Sequence, residues 1–514
     1  MSQVRAKKTL LQKYQDVMPS GAGALFLIQI FATLGFSVLY STLILYATKG
    51  LHMSDTLATS ITGSFVALNY FLHLLGGYIG GRYLSYRSLF CLGMLAQVIG
   101  CVLISVPDNT HLLWGLSAFL GGSGLNVTCI NCMVTQLFEP DDKRREAAFL
   151  WNYSGMNIGF FVGFSLGGYF HLNQGYHELF LLSALGNIIA MAMLFYNWKK
   201  LKDRDTSFIA MPASNQRNYR LLGLTMVIAL VLSLRILLEH TTFCNQLIMV
   251  IGALMLALMV FLSLKEPGHA QRNKMRAYII LALSSVIFWT LYQLAPMGMN
   301  LFIERNVDRH FMGILIAPQW VQNINTIVII IGGPLLSVVF THMRERGKNI
   351  SIPFQFSLAL LLIGTAFAIL PIGISFADSQ GYVNFTWILA SYVLQSAGEL
   401  FISPIGYAMV GQLAPLHLRG LMMGMWMMIT GIAAILSDHF SKMALGTAIS
   451  TDPLATNASY SHTFGMLGWA AIAAGIALLL AVPLVSRLTH EKKNNIDPAA
   501  DRDINMETLE EELA

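Results

Sequence analysis

"FEPDDKRREAAFLWNYSGMNIGFFVGFSLGGYF", Phe138 to Phe170, sets a dense block of charge directly against a membrane-length apolar run. Glu139, Asp141, Asp142, Lys143, Arg144, Arg145 and Glu146 crowd a short loop, and Gly155, Gly159, Gly163 and Gly167 then recur at every fourth position. Residues spaced by four share one helix face. A face stripped of side chains lets a second helix approach closely, so the stripe reads as packing between membrane helices. Outward from this segment, apolar runs of roughly 20 residues, each enough to cross a hydrocarbon core about 30 Å thick, recur along most of the chain. Of the 514 residues 55% are hydrophobic and only 11% charged, and the mean hydropathy is +0.60, which excludes an ordinary soluble domain.

The runs predict about fourteen membrane helices in an all-α polytopic fold. They are interrupted by one long polar stretch, "NWKKLKDRDTSFIAMPASNQRNYR", Asn197 to Arg220. Six runs precede it, two closely linked runs follow, and six more complete the chain. The resulting plan is a segment over 1–20, a six-helix bundle over 21–198, a linker with two inserted helices over 199–275, a second six-helix bundle over 276–487 and a tail over 488–514. Two six-helix halves around an insertion suggest a transporter of the major facilitator type, with its site near the midplane between halves that rock.

Most of the 32 Lys and Arg residues fall in alternate loops, from Arg5–Lys13 through Arg82, Arg87, Lys143–Arg145 and Lys199–Arg220 to Arg344–Lys348 and the tail. By the positive-inside rule these loops and both termini are cytoplasmic. Lys49, Arg305, Arg309 and Lys442 fall on the outer side, and Arg235 sits where its long stem can snorkel to the outer surface. The net charge of +5 is accounted for by this loop bias and implies no nucleic-acid partner. The five cysteines lie mostly in apolar runs, and the lone Cys129–Cys132 pair reads as buried thiols rather than a metal or redox site. With no HExxH and no His/Cys cluster, neither an enzyme nor a cofactor is expected.

The Phe138–Phe170 segment resembles the signature of the proton-dependent oligopeptide transporters, a branch of the major facilitator superfamily. So do "LYATKGLHMSDTLATSITGSFVALNYFLHLLGGYIGGRYL" from Leu45, "IFWTLYQLAPMGMNLFIERNVDRH" from Ile287, "PQWVQNINTIVIIIGGPLLS" from Pro318 and "GELFISPIGYAMVGQLAPLHLRGLMMGMW" from Gly398. The resemblance spans nearly the whole chain, and the inserted helix pair matches bacterial members. It implies proton-coupled symport of di- and tripeptides across a bacterial inner membrane, with the lipid bilayer, a small peptide-like molecule and protons as partners.

Residue by residue, the resemblance is uneven. The family's first-helix ExxER motif falls here on Gln29, Ala32 and Thr33, so all three charges are missing. Two tyrosines that follow it in many members become Phe36 and Ser37, the fourth-helix lysine becomes Val127, and an acidic residue of the seventh main helix becomes Gln293. What the resemblance leaves for substrate binding is Tyr70, Tyr153, Asn157, Trp289, Gln293, Asn325, Trp426 and Glu399, the last where the family's carboxylate meets the substrate amino group. A charged carboxylate at bilayer depth costs roughly 2.5–3.5 kcal/mol on insertion scales, so Glu399 needs a proton, a partner or a ligand. Glu399 is the first candidate for proton coupling, and His73, Asp438 and His439 are its rivals. Gating candidates are Arg82 and Arg87 at one end, and Glu304, Arg305, Asp308 and Arg309 at the other.

Loss of the arginine and lysine removes the cations that would grip a free carboxylate. The expected cargo therefore has an amino group and a masked, absent or differently held carboxylate. A facilitator or exporter of modified peptides or amines, and a non-transporting sensor of the same fold, are the alternatives.

Overall fold

The computed structural model describes residues 19, 21–139, 142, 144–346, 350–446 and 450–489. The basic N-terminal segment, Asp141, Lys143, Lys348 and the charged tail lie outside them. The first bundle comprises α1 (Ala22–Leu45, continued by a π-turn to Gly50), α2 (Asp55–Ile79), α3 (Tyr86–Ile104), α4 (Asn109–Gln136), α5 (Arg144–Leu172) and α6 (Tyr176–Tyr196). A short α7 (Ser207–Ala210) leads to the inserted pair, α8 (Ala213–Glu239) and α9 (Thr241–Lys265). The second bundle contains α10 (His269–Tyr292), α11 (Gly298–Asn306), α12 (Pro318–Val321), α13 (Asn323–Glu345), α14 (Ile352–Ser375), α15 (Phe385–Leu413), α16 (Arg419–Leu445) and α17 (Pro453–Thr489).

Thirteen of these helical segments are long and apolar enough to cross a membrane. The fourteenth expected run is α5, a helix of 29 residues that is too polar to qualify by composition. Its opening turn carries the charged loop's arginines, and Asn152 and Asn157 follow. It packs along α1 within the first bundle all the same.

Helix starts follow local chemistry. Ser54, Ser85, Asp108 and Asn384 each accept a backbone N–H of the first turn with their side chains. Proline interrupts α13 at Pro334, α14 at Pro371, α15 at Pro404 and α17 at Pro483, removing one intrahelical hydrogen bond each time. Between α10 and α11 the helix breaks altogether over Gln293–Met297.

The glycine stripe of α5 does what its spacing predicts. A Cβ on Gly155 would stand 2.8 Å from the Phe26 carbonyl oxygen, and one on Gly159 would stand 2.6 Å from that of Ile30. The backbones of α1 and α5 are thus in contact, and the Ser37 hydroxyl donates to the Gly159 carbonyl at 3.1 Å. Gly168, outside the four-residue spacing, provides a seat for Trp320 of the second bundle, whose Nε1 donates to the Ser165 carbonyl at 2.9 Å.

The bundles meet most extensively where α2 crosses α16, with further contacts from α5 to α12 and α13. The inserted pair packs peripherally, α8 on α4 and α9 on α16 and α2. Only 22% of the residues in the hydrophobic stretch of either inserted helix are buried, so most of their apolar surface lies on the outside of the molecule. Beyond α11 the chain forms a two-residue hairpin, His310–Phe311 with Ile314–Leu315, turning through Met312 and Gly313, both at positive φ. Val307–Asp308 pairs in parallel with Val383–Asn384 at the same end.

Candidate substrate and coupling site

Glu399 lies in α15 one turn before the Pro404 kink, 8% exposed, and forms no ion pair among the described residues. Its Oε2 accepts a 2.6 Å hydrogen bond from Asn325 Nδ2 of α13, which also donates to Ser396 Oγ at 3.2 Å. Ser396 in turn donates to the Tyr392 carbonyl at 2.6 Å. Asn325 is therefore held by two groups of α15, and it presents its amide to one carboxylate oxygen.

Four tyrosines come within electrostatic reach of that carboxylate: Tyr40 of α1, Tyr70 of α2, Tyr153 of α5 and Tyr292 of α10. Three belong to the first bundle and one to the second, so the ring straddles the interface. Tyr40 Oη donates to Gln293 Oε1 across it at 2.7 Å. The Nε2 of Gln293 is buried without a well-aligned hydrogen bond and lies towards the Tyr70 hydroxyl of α2. Trp289 sits edge-on to Tyr292 at 5.4 Å, one turn from the break.

The first-bundle positions where the resemblance predicts lost charges form a neutral chain. Asn152 Nδ2 donates to Gln29 Oε1 at 3.2 Å, and Gln29 Nε2 donates to Thr33 Oγ1 at 2.7 Å. All three side chains are buried. Unpaired charges there would be expensive, and the carboxamides bond to each other instead, with Asn152 Oδ1 left without a partner among the described residues.

The other expected residues take varied places. Asn157 donates to the Tyr153 carbonyl at 2.9 Å, one turn back on α5. Trp426 is buried in the second bundle against Phe356 and Gly406. His73 is buried with neither ring nitrogen partnered, and Tyr70 lies edge-on to it at 5.7 Å. Asp438 accepts from Lys442 at 2.8 Å and from Asn245 of α9 at 2.9 Å, while His439 is exposed beside Phe440.

One end of the molecule is closed by charge. Glu304 receives Lys49 and His171 of the first bundle, the latter at 3.1 Å, and Arg309 of its own bundle at 3.3 Å. Arg305 is bound by both carboxylate oxygens of Asp55 across the interface, one of them at 2.8 Å. Glu304 belongs to α11, beyond the membrane-spanning part of α10. Burial works to raise its pKa, but the hydrogen bond from His171 and the charge of Arg309, with Lys49 beside them, hold it down at about 2. Asp308 pairs only locally with His310. A cavity of about 630 Å³ opens above Glu304, but the charges that line it are paired with one another.

Arg82 and Arg87 lie towards the opposite end and contact their own bundle. Arg82 stacks over Tyr78, and Arg87 stacks over Trp198 and donates to its carbonyl. Among the described residues, the hydrogen bonds and ion pairs that run directly between the bundles lie from the Gln293 level to the Glu304 end.

The sequence did not single out Tyr40, Tyr292, Asp55 or His171. Tyr40 stands one turn beyond Phe36, where a tyrosine was expected, and that offset was its available signal.

Comparison with known proteins agrees with this architecture. The POT family profile matches residues 87–458. This chain belongs to the POT family. Dipeptide and tripeptide permease A of Cronobacter turicensis is 31% identical over 471 residues, covering 91% of this chain and 93% of that protein. The Escherichia coli protein of the same name is 31% identical over 491 residues, covering 94% and 95%. Among solved structures, the peptide transporter POT in complex with sulfate superposes with a TM-score of 0.80 at 23% identity, covering 92% of this chain and 96% of that one. A POT family transporter in complex with 5-aminolevulinic acid gives 0.77 at 23% identity, covering 91% and 99%. The POT-family fold expected from the sequence is therefore correct, and the protein is an integral membrane transporter.

Proposed function

We propose that this POT-family chain imports peptides or peptide-like amines across a bacterial inner membrane by proton symport, with Glu399 binding alternately a proton and the cargo's ammonium group. The observation that carries the reading is a buried carboxylate with no cation among its described partners, at the junction of two bundles and ringed by tyrosines of both. Such a group is costly to ionise when alone and gains most from an arriving ammonium. Proton release on one side and ammonium binding on the other become a single exchange.

The other end of the cargo is held by neutral donors. The loosely held Nε2 of Gln293 and the surrounding tyrosine hydroxyls suit a carbonyl or a carboxylate without a full counter-charge. Peptide amides and amino-group-bearing small molecules are then accepted alongside plain peptides. With the basic loops cytoplasmic, the Glu304 end is the outer one, both termini lie inside, and this conformation is closed to the outside.

The test is uptake of a mixed pool of dipeptides and their amides into proteoliposomes, read by mass spectrometry, with and without an inward proton gradient. Gradient-driven accumulation of amides at rates within a few-fold of the free peptides is expected. Equilibration indifferent to the gradient would replace symport by facilitation. No uptake of any member would contradict the transport reading and favour a sensor.

A further inference from the structure

The inserted pair is the part of the molecule to which the transport reading gives no work. Its second helix, α9, lies in a strongly apolar span, yet one polar side chain near its start is turned inward. Asn245 Oδ1 accepts from Ser64 Oγ of α2 at 3.0 Å, and its Nδ2 donates to Asp438 Oδ2 of α16 at 2.9 Å. Lys442, one turn further along α16, donates to the same Asp438 oxygen at 2.8 Å. A single carboxamide on an inserted helix thus joins the first bundle to the second.

The location of this bridge gives it meaning. α2 and α16 cross here so closely that a Cβ on Gly63 would stand 2.8 Å from the Asp438 Cβ. Asp55, which closes on Arg305, lies nine residues before Ser64 on α2, about 13 Å along the helix. The bridge therefore sits beneath the ion pairs of the closed end, on the interface that must part when that end opens. A carboxamide that keeps one bond must then lose the other, since Ser64 and Asp438 move apart with their bundles. Its neighbour Gln246 faces outward and is exposed.

We propose that Asn245 is a tether through which the inserted helices hold the Glu304 end shut, acting as a positioning residue for alternating access. The tether presupposes that this chain works by alternating access. Its test needs no cargo, so failure of the tether and failure of the transport reading are separable. Spin labels are placed at Asn173 and Met312, exposed residues of opposite bundles at the closed end, in a full-length chain whose five native cysteines have been replaced. Electron–electron distances are then recorded in lipid nanodiscs. Asn245→Leu and, independently, Ser64→Ala are expected to raise the long-distance population relative to the short one by about two- to tenfold, the worth of one or two hydrogen bonds in a bilayer. Gln246→Leu is expected to leave it unchanged. An unaltered distribution in Asn245→Leu, or an equal shift in Gln246→Leu, would overturn the proposal.

Discussion

In the proposed site, Glu399 supplies charge and Gln293 neutral hydrogen bonding. Tyr40 donates to Gln293 Oε1, and in the proposed account this bond orients the amide so that Nε2 can meet the cargo. Removing the hydroxyl in Tyr40→Phe costs about 1 kcal/mol of positioning. Affinity for a dipeptide, measured by competition against a radiolabelled peptide, should fall about fivefold, with accumulation still driven by the proton gradient. An unchanged affinity would place Gln293 outside the binding surface. Glu399 stood out in the sequence because a carboxylate in an apolar run is costly. The role of Tyr40 was not, because its partner lies 253 positions away and nothing local to α1 announces it. The chain Asn152–Gln29–Thr33 was hidden for the same reason: sequence shows which charges are missing, and only packing shows what satisfies the residues that replace them.

Among the elements, α1 and α5 show how a spacing becomes a contact. Gly159→Leu would drive a side chain into the Ile30 carbonyl and Thr33. Overpacking of this kind costs about 1–3 kcal/mol, and here backbone must move to relieve it. A lower unfolding temperature in detergent is expected, accompanied by lost transport because Gln29 and Thr33 ride on the same helix. Wild-type stability in the variant would mean that the helices are not in backbone contact. The stripe and the six-two-six plan were readable from the sequence because periodicity and hydropathy are properties of one helix at a time. The break at Gln293–Met297 was less visible, since a run of Leu, Ala, Pro, Met and Gly reads equally as a continuous apolar span.

At the scale of the molecule, two bundles are locked at one end by Glu304 and Arg305 and joined further in by the Tyr40–Gln293 hydrogen bond. The carboxylate of Glu304, with its pKa lowered from 4.5 to about 2, contributes to closure at all pH values above about 4.5 and loses that contribution only as pH falls towards 2. The Glu304 carboxylate therefore stays charged between pH 5 and 8, and the proposed account places the pH dependence of transport at Glu399. In Glu304→Gln the uptake rate should change because the equilibrium between states shifts, while the midpoint of its pH profile stays within experimental error of wild type. A displaced midpoint would assign proton sensing to the gate. The sequence singled out Glu304, Arg305, Asp308 and Arg309 at this end; Asp308 meets only His310, and the partners Asp55 and His171 belong to the other bundle, beyond the reach of any local pattern.

The central claim is that Glu399 exchanges a proton for the cargo's ammonium, and the most direct measurement compares two kinds of transport in Glu399→Gln proteoliposomes. Gln keeps the size and a hydrogen-bonding partner for Asn325 but cannot titrate. Gradient-driven accumulation should vanish, while counterflow exchange of preloaded peptide should persist at reduced affinity. Full gradient-driven accumulation in Glu399→Gln would contradict the account.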